Sequence, residues 1–141
     1  MDLHRMNLPT EPATPLIRTD FSNDETWQRI VRAATQASPD GFTANLTVVD
    51  DRAFEDAEIE QLAALAESTT EHALLIVADA KTMSNPELPL LCIDPLPPGG
   101  AFRVVPEHLW GVENNVSIVN MDFSEFASAV DPDGVFRGFR D

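Results

Sequence analysis

The chain has 141 residues, 43% of them hydrophobic, which predicts a single folded domain with its own core. Its 24 acidic and 9 basic side chains give a formal net charge of −15, so its surface repels phosphate groups. Nucleic acid and anionic membranes are therefore excluded as expected partners, and no apolar stretch is long enough to span a bilayer.

Charge and cysteine content favour a cytoplasmic protein with a basic protein partner. Cys92 is the only cysteine, so an internal disulfide is excluded, and the N-terminus lacks the apolar core of a signal sequence. A surplus of carboxylates favours association with a cationic surface. One alternative stays open, because a single lysine, Lys81, and the absence of tyrosine also indicate GC-rich coding or a high-salt habitat.

The order of predicted elements indicates an α/β protein. Three prolines among residues 1–15 predict an extended or disordered leader, followed by a single domain over residues 16–141. Up to residue 93, the pattern predicts strands over 16–21 and 42–49, a helix over 55–68, and buried strands over 72–78 and 90–93. Between the first two strands it predicts a helix that ends at Ala34, with Ser22 as its cap and Glu25 completing a capping box.

The remaining residues complete this prediction. They comprise a strand over 102–105, a helical turn over 106–110, a short β-branched segment over 116–119, a helix capped by Asp122 and Glu125 that reaches Val130, and an edge strand over 135–139. Early alternation and apolar central strands predict a mixed, largely parallel sheet with three main helices packed on it.

Carboxylates follow four of the predicted strands: Asp20, Asp50 with Asp51, Asp79, and Asp94. Ligands of open α/β sheets bind beyond the carboxyl ends of strands, and carboxylate oxygens suit Mg²⁺. Asp50, Asp51 and Asp79 are therefore candidate binding residues for a small molecule or a magnesium-dependent reaction. The alternative is that aspartate simply favours turns and helix caps.

A second candidate is the segment 110–122, in which amides and carboxylates alternate with apolar residues. Its candidate binding residues are Trp110, Glu113, Asn114 and Asn115, because tryptophan is enriched in binding hot spots and amides contact ligands. The alternative is a structured turn in which Asn114 or Asn115 adopts a left-handed conformation.

The sequence predicts no catalytic residue, metal site or cofactor. The three histidines, His4, His72 and His108, lack metal-ligand spacing, and no serine lies in a nucleophile elbow.

Several stretches carry a resemblance to a known family. The resembling segments are 16–21, 49–51, 102–106, 109–115 (Leu-Trp-Gly-Val-Glu-Asn-Asn), 120–123 (Asn-Met-Asp-Phe) and 134–139. Together they resemble a family of small acidic actinobacterial proteins catalogued only as a domain of unknown function. The resemblance implies a cytoplasmic bacterial protein and GC-rich coding, and it implies no activity, cofactor or catalytic residue.

Three functional hypotheses follow. The first is an acidic protein-binding module, such as an immunity or inhibitor protein that docks on a basic partner. The second is a small enzyme or small-molecule binder that uses the strand-end carboxylates, with or without Mg²⁺. The third is a structural subunit that self-associates through its apolar C-terminal segment.

Overall fold

Six strands form one sheet in the computed structural model, which describes residues 6–69, 72–96 and 99–139. The strands are β1 Thr14–Arg18, β2 Leu46–Val49, β3 Leu75–Ala78, β4 Leu90–Asp94, β5 Gly100–Val104 and β6 Val135–Phe136. Their order across the sheet is β2-β1-β3-β4-β5-β6, and only β4 runs antiparallel to its neighbours. The predicted α/β class with a mixed, largely parallel sheet is confirmed.

Helices cover both faces of this sheet. They are α1 Asp24–Thr35, α2 Ile59–Thr69, α3 Ala80–Ser84, α4 Leu109–Ser117 and α5 Phe123–Ala127, with 3₁₀ turns at Arg52–Phe54 and Pro106–His108. One core cluster holds buried side chains of α1, α4 and α5, and a second cluster on the other face holds those of α2. The three predicted main helices correspond to α1, α2 and α5, and α5 is shorter than predicted. Helix α4 was predicted only as a helical turn over residues 106–110. None of the helices in the described ranges is long and apolar enough to cross a membrane.

Alternation along the strands separates the two clusters. Leu16 of β1 belongs to the cluster under α1, and its neighbour Ile17 belongs to the cluster under α2. Because both faces are covered, β3 and the first four residues of β4 are apolar, as the sequence predicted for residues 72–78 and 90–93. Cys92 of β4 lies fully buried in this core, and burial raises the pKa of its thiol.

The first strand begins earlier than predicted, at Thr14, and ends at Arg18. Before it, Leu8 is buried in the cluster under α2, and the His72 ring hydrogen-bonds the carbonyl of Pro9 at 2.9 Å. The part of the predicted leader that the structure describes therefore packs on the domain, and residues 1–5 lie outside the described ranges.

Two predicted helix starts are wrong. Asn23, and not Ser22, caps α1, because its side chain accepts a hydrogen bond from the Thr26 amide at 3.0 Å. The second helix starts at Ile59 and not at residue 55, because Asp56 has a left-handed φ of 60° that a helix cannot include.

Other differences concern short elements. Residues 42–45 form a loop, since β2 pairs with β1 only from Leu46 onward, opposite Thr14. The sequence did not predict α3, which Asp79 and Thr82 begin with a capping box. The last strand ends at Phe136 and does not reach residue 139, since Gly138 has a left-handed φ of +101° that a strand cannot include.

Candidate functional site

The carboxyl ends of β1, β2 and β3 meet at one edge of the sheet, called here the carboxyl edge. Asp20, Asp50 and Asp79 follow these three parallel strands and therefore lie along it. Asp94 is the last residue of the antiparallel strand β4 and lies at the opposite edge, so it does not share a site with the other strand-end carboxylates. Its side chain accepts a hydrogen bond from the Leu96 amide at 3.1 Å, as in a turn.

Arg18, the last residue of β1, is a buried cation at the carboxyl edge. Its side chain is 4% exposed, and its guanidinium pairs with Asp24 at 2.6 Å and with Asp50 at 3.3 Å. It also lies 4.3 Å from the ring centre of Phe21 and 5.4 Å from that of Trp27. Asp50, a predicted binding residue, is therefore paired with Arg18, and its side chain is 46% exposed.

Asp79 is paired in the same way with an arginine of β5. Both carboxylate oxygens accept hydrogen bonds from Arg103, at 2.9 and 2.7 Å, and Oδ1 also caps α3 by accepting from the Thr82 amide. Burial raises the pKa of Asp79, but the hydrogen bonds and charge of Arg103 and the bonds from Thr82 outweigh it, so the pKa lies below its usual value. The ionised form of Asp79 is thus favoured, and the charge of Arg103 balances it.

A dense run of exposed carboxylates also lies at the carboxyl edge. We call it the acidic edge and define it as Asp51, Glu55, Asp56, Glu58 and Glu60. The amide of Asp56 donates to the carbonyl of Thr19 at 2.9 Å, which ties this run to the end of β1. Its one cation, Arg52, lies 3.5 Å from the Glu55 carboxylate and over the Phe21 ring.

A small cleft opens beside the acidic edge. It encloses about 290 Å³ between the start of α2 and the ends of β3 and β5, and its walls include Ile59, Val77, Leu91, Asp79 and Arg103. Within the described ranges, no group of three or more histidine, cysteine, aspartate or glutamate side chains has the arrangement of a metal site.

Glu113, a predicted binding residue on α4, is buried and serves as an internal acceptor. It is 2% exposed, and its oxygens accept hydrogen bonds from the Thr14 hydroxyl at 2.8 Å, the Ser117 hydroxyl at 2.7 Å and the Asn45 amide at 2.7 Å. Because these groups lie on β1, α4 and the loop before β2, Glu113 fastens α4 to the start of the sheet.

The two candidate asparagines are helical, so the expectation of a left-handed asparagine is wrong. Asn114 donates to the carbonyls of Trp110 and Thr43, and Asn115 donates to the carbonyl of Gly111. The carbonyl of Asn115 accepts from the amides of Asn120 and of the residue after it, at 2.9 and 3.1 Å. These bonds close the turn between α4 and α5.

This turn contains a strained and exposed apolar pair. The left-handed residue is Val119, with a φ of 59°, which is an outlier for a β-branched side chain. Ile118 and Val119 are 71% and 79% exposed. The predicted β-branched segment 116–119 thus divides between the end of α4 and the turn.

Trp110, like Asn114 and Asn115, remains partly exposed. Its ring stacks on Phe42, with ring centres 5.4 Å apart and planes 13° apart. Trp110 also borders a cleft of about 630 Å³, called here the Trp110 cleft, between the end of α1 and the 3₁₀ turn Pro106–His108. Asp40 and Glu107 also line this cleft.

The sequence analysis missed the internal pairing of the arginines. Besides Arg18 and Arg103, Arg137 binds three carboxylates, those of Glu87, Asp131 and Asp133, at 2.7 to 2.8 Å. These bonds raise the pKa of Arg137 and lower the pKa of Glu87 and Asp133. A signal existed for Arg18, since an arginine next to the apolar pair Leu16 and Ile17 in a strand must find partners when it is buried.

Comparison with known families supports the resemblance noted in the sequence. The model of the family described as Domain of unknown function (DUF6924) matches residues 13–139. Among curated proteins, none matches the chain.

Glu113 provides a test of whether this segment is scaffold. We expect Glu113→Ala to lower the free energy of unfolding by about 3 kcal/mol, because it leaves buried donors unsatisfied. Glu113→Gln should cost less than about 1 kcal/mol, because the two hydroxyls can turn to accept from the new amide. Urea denaturation measures both changes, and equal losses for the two variants would contradict this account.

The turn after α4 provides a second test. Val119→Asn should raise the free energy of unfolding by about 1 kcal/mol, since asparagine tolerates a left-handed backbone and the side chain is exposed. The matched control is Ile118→Asn, where φ is negative and no gain is expected. A thermal melt compares the two variants, and equal shifts would argue against strain at Val119.

The pairing of Asp79 predicts a dependence of stability on pH. Because the pKa of Asp79 is lowered in the folded state, its contribution is present above the unfolded value and is lost as pH falls below about 4. Asp79→Asn should lower stability by about 2 kcal/mol at neutral pH, and the difference from wild type should shrink on acidification.

The control for Asp79 is Asp51→Asn, which changes an exposed carboxylate that caps a 3₁₀ turn without an arginine partner among the described residues. Denaturant unfolding at pH 7 and near pH 3 compares the three proteins. If the effect of Asp79→Asn were the same at both pH values, the ion pair with Arg103 would not be the source of the stability.

Proposed function

The chain belongs to this family of unknown function, and we propose that it is an acidic protein-binding module that docks on a basic protein partner through its acidic edge. The observation that carries the proposal is the concentration of five exposed carboxylates between residues 51 and 60, in a chain of net charge −15. A surface of this kind speeds association with a cationic partner and selects against acidic ones.

Because some arginines are used in internal ion pairs, the acidic edge is more negative than the composition of the chain alone indicates. Arg18 is buried, and Arg103 pairs with Asp79, so neither offsets the charge of the acidic edge. Arg52 is exposed and pairs loosely with Glu55. Two cations of the carboxyl edge, Arg18 and Arg103, are thus largely buried in ion pairs, while the carboxylates of residues 51–60 face solvent.

A structural reason explains only part of this acidity. Glu60 lies in the first turn of α2 and Glu58 just before it, where carboxylates stabilise the helix dipole. Glu55 and Asp56 precede the helix and gain little from its dipole. This surplus supports recognition of a partner in addition to helix capping.

The shape of the region suits docking of a protein surface. Ile59 is 39% exposed among the carboxylates and borders the cleft of about 290 Å³. An apolar contact ringed by charge is the usual anatomy of a specific interface. The partner we propose presents an apolar side chain within a basic surface, as the target of an immunity or inhibitor protein does, and meets this chain in the cytoplasm.

The alternative of an enzyme or small-molecule binder has less support. It requires Asp50 and Asp79 to be available to a ligand or to Mg²⁺, and each is paired with an arginine. Self-association is also less supported, because two copies of net charge −15 repel each other.

Neutralising the acidic edge tests whether a partner binds this particular surface or responds only to the net charge of the chain. The edge variant carries Asp51→Asn, Glu55→Gln, Glu58→Gln and Glu60→Gln. The control variant removes the same charge from exposed positions elsewhere, with Glu11→Gln, Glu25→Gln, Glu67→Gln and Glu125→Gln. With an oligolysine peptide as probe, we expect the edge variant to bind about tenfold more weakly than wild type, and the control variant within about twofold.

The same three proteins then serve as baits in extracts of the producing organism. We expect a basic protein that wild type and the control variant retain, that the edge variant loses, and that raised salt releases. Equal weakening by both variants would show that only net charge matters. That result, together with the absence of any such protein at low salt, would refute the proposal.

A further inference from the structure

The Trp110 cleft lies on the α1 and α4 side of the sheet, away from α2 and the acidic edge. It encloses about 630 Å³, which exceeds the volume of a single amino-acid side chain. Its apolar walls include Ala33, Ala37 and Pro39, and the side chains of Trp110 and His108 also line it. The cleft therefore combines apolar surface with an indole ring.

The ring of Trp110 is held in place by its neighbours. Phe42 stacks on it at 5.4 Å, and the Asn114 side chain links the carbonyl of Trp110 to that of Thr43 with bonds of 2.8 and 3.2 Å. The loop that carries Phe42 is thus fastened to α4. A fixed indole loses little conformational entropy when a ligand binds.

The charge in the cleft is negative. Asp40 and Glu107 line it, and in the described part of the chain neither forms an ion pair. Helix α1 ends at Thr35 beside the cleft, and the C-terminus of a helix carries a partial negative charge. Arg29 and Arg32 lie on the exposed side of α1 and are not among the lining residues.

We propose that the Trp110 cleft is a second binding site, which takes an arginine side chain of a partner protein. The guanidinium stacks on the indole of Trp110, the carboxylates of Asp40 and Glu107 accept its hydrogen bonds, and its methylene stem packs on Ala33 and Pro39. A planar guanidinium suits this combination better than a lysine ammonium, because it stacks and donates in its own plane. This site stands on observations separate from those of the acidic edge.

The test uses the full chain and a short peptide, acetyl-Gly-Arg-Gly-amide, with the neutral citrulline peptide as its matched control. Nuclear magnetic resonance follows the indole N–H signal of Trp110, identified by its loss in Trp110→Phe. We expect the arginine peptide to shift this signal with saturation, and the citrulline peptide to bind at least about tenfold more weakly.

Two double variants identify which carboxylates bind the arginine of the peptide. Asp40→Asn with Glu107→Gln should weaken binding of the arginine peptide about tenfold. Asp51→Asn with Glu58→Gln changes the acidic edge by the same charge and should leave the affinity within about twofold. Trp110→Leu should abolish binding, and Trp110→Phe, which keeps an aromatic face, should retain part of it. Because both variants lack the indole, their binding is followed by the backbone amide signals of the cleft residues Ala37 and Glu107.

Three outcomes would overturn this inference. The first is equal affinity for the arginine and citrulline peptides, and the second is an unchanged affinity in the Asp40 and Glu107 variant. The third is a set of shifts that maps to the acidic edge and not to the cleft. In each case the proposed docking through the acidic edge would still stand, because its own test changes different residues.

Discussion

The buried guanidinium of Arg18 is the interaction on which the carboxyl edge depends. A cation inside a protein must be paired, and Arg18 finds its partners in Asp24 at the start of α1 and Asp50 at the end of β2. The rings of Phe21 and Trp27 cover its faces. One side chain thereby joins the first strand, the first helix and the end of the second strand, and it pairs with Asp50, whose side chain is 46% exposed.

Arg103 repeats this arrangement further along the sheet, where it neutralises Asp79. The carboxylates at the strand ends therefore serve largely to stabilise the fold through ion pairs. The unmatched negative charge lies instead in the loop that precedes α2 and in the first turn of that helix. This division supports recognition of a partner surface over chemistry at the strand ends, because exposed carboxylates steer an approaching cation while paired ones hold the fold.

Helix α4 shows how an unusual sequence can serve a structural purpose. Glu113 fastens the helix to the start of the sheet, Asn114 holds the loop of Phe42, and Asn115 closes the following turn. Their combined effect is to fix the position of Trp110, which borders the larger cleft. The polar side chains of this segment thus form internal hydrogen bonds that hold α4, its neighbouring loop and the following turn together.

The sequence by itself determined the α/β class, the apolar inner strands and most of the helices, because hydrophobic period and capping residues act over a few neighbouring positions. The Asp122 and Glu125 capping box, for example, is present as predicted. Only the tertiary structure decided that β4 is antiparallel, which moves Asp94 to the opposite edge, and that Arg18 is paired with Asp50, 32 residues away. Strand direction and ion pairing depend on contacts between distant segments, and local patterns of residues carry no record of which segments meet.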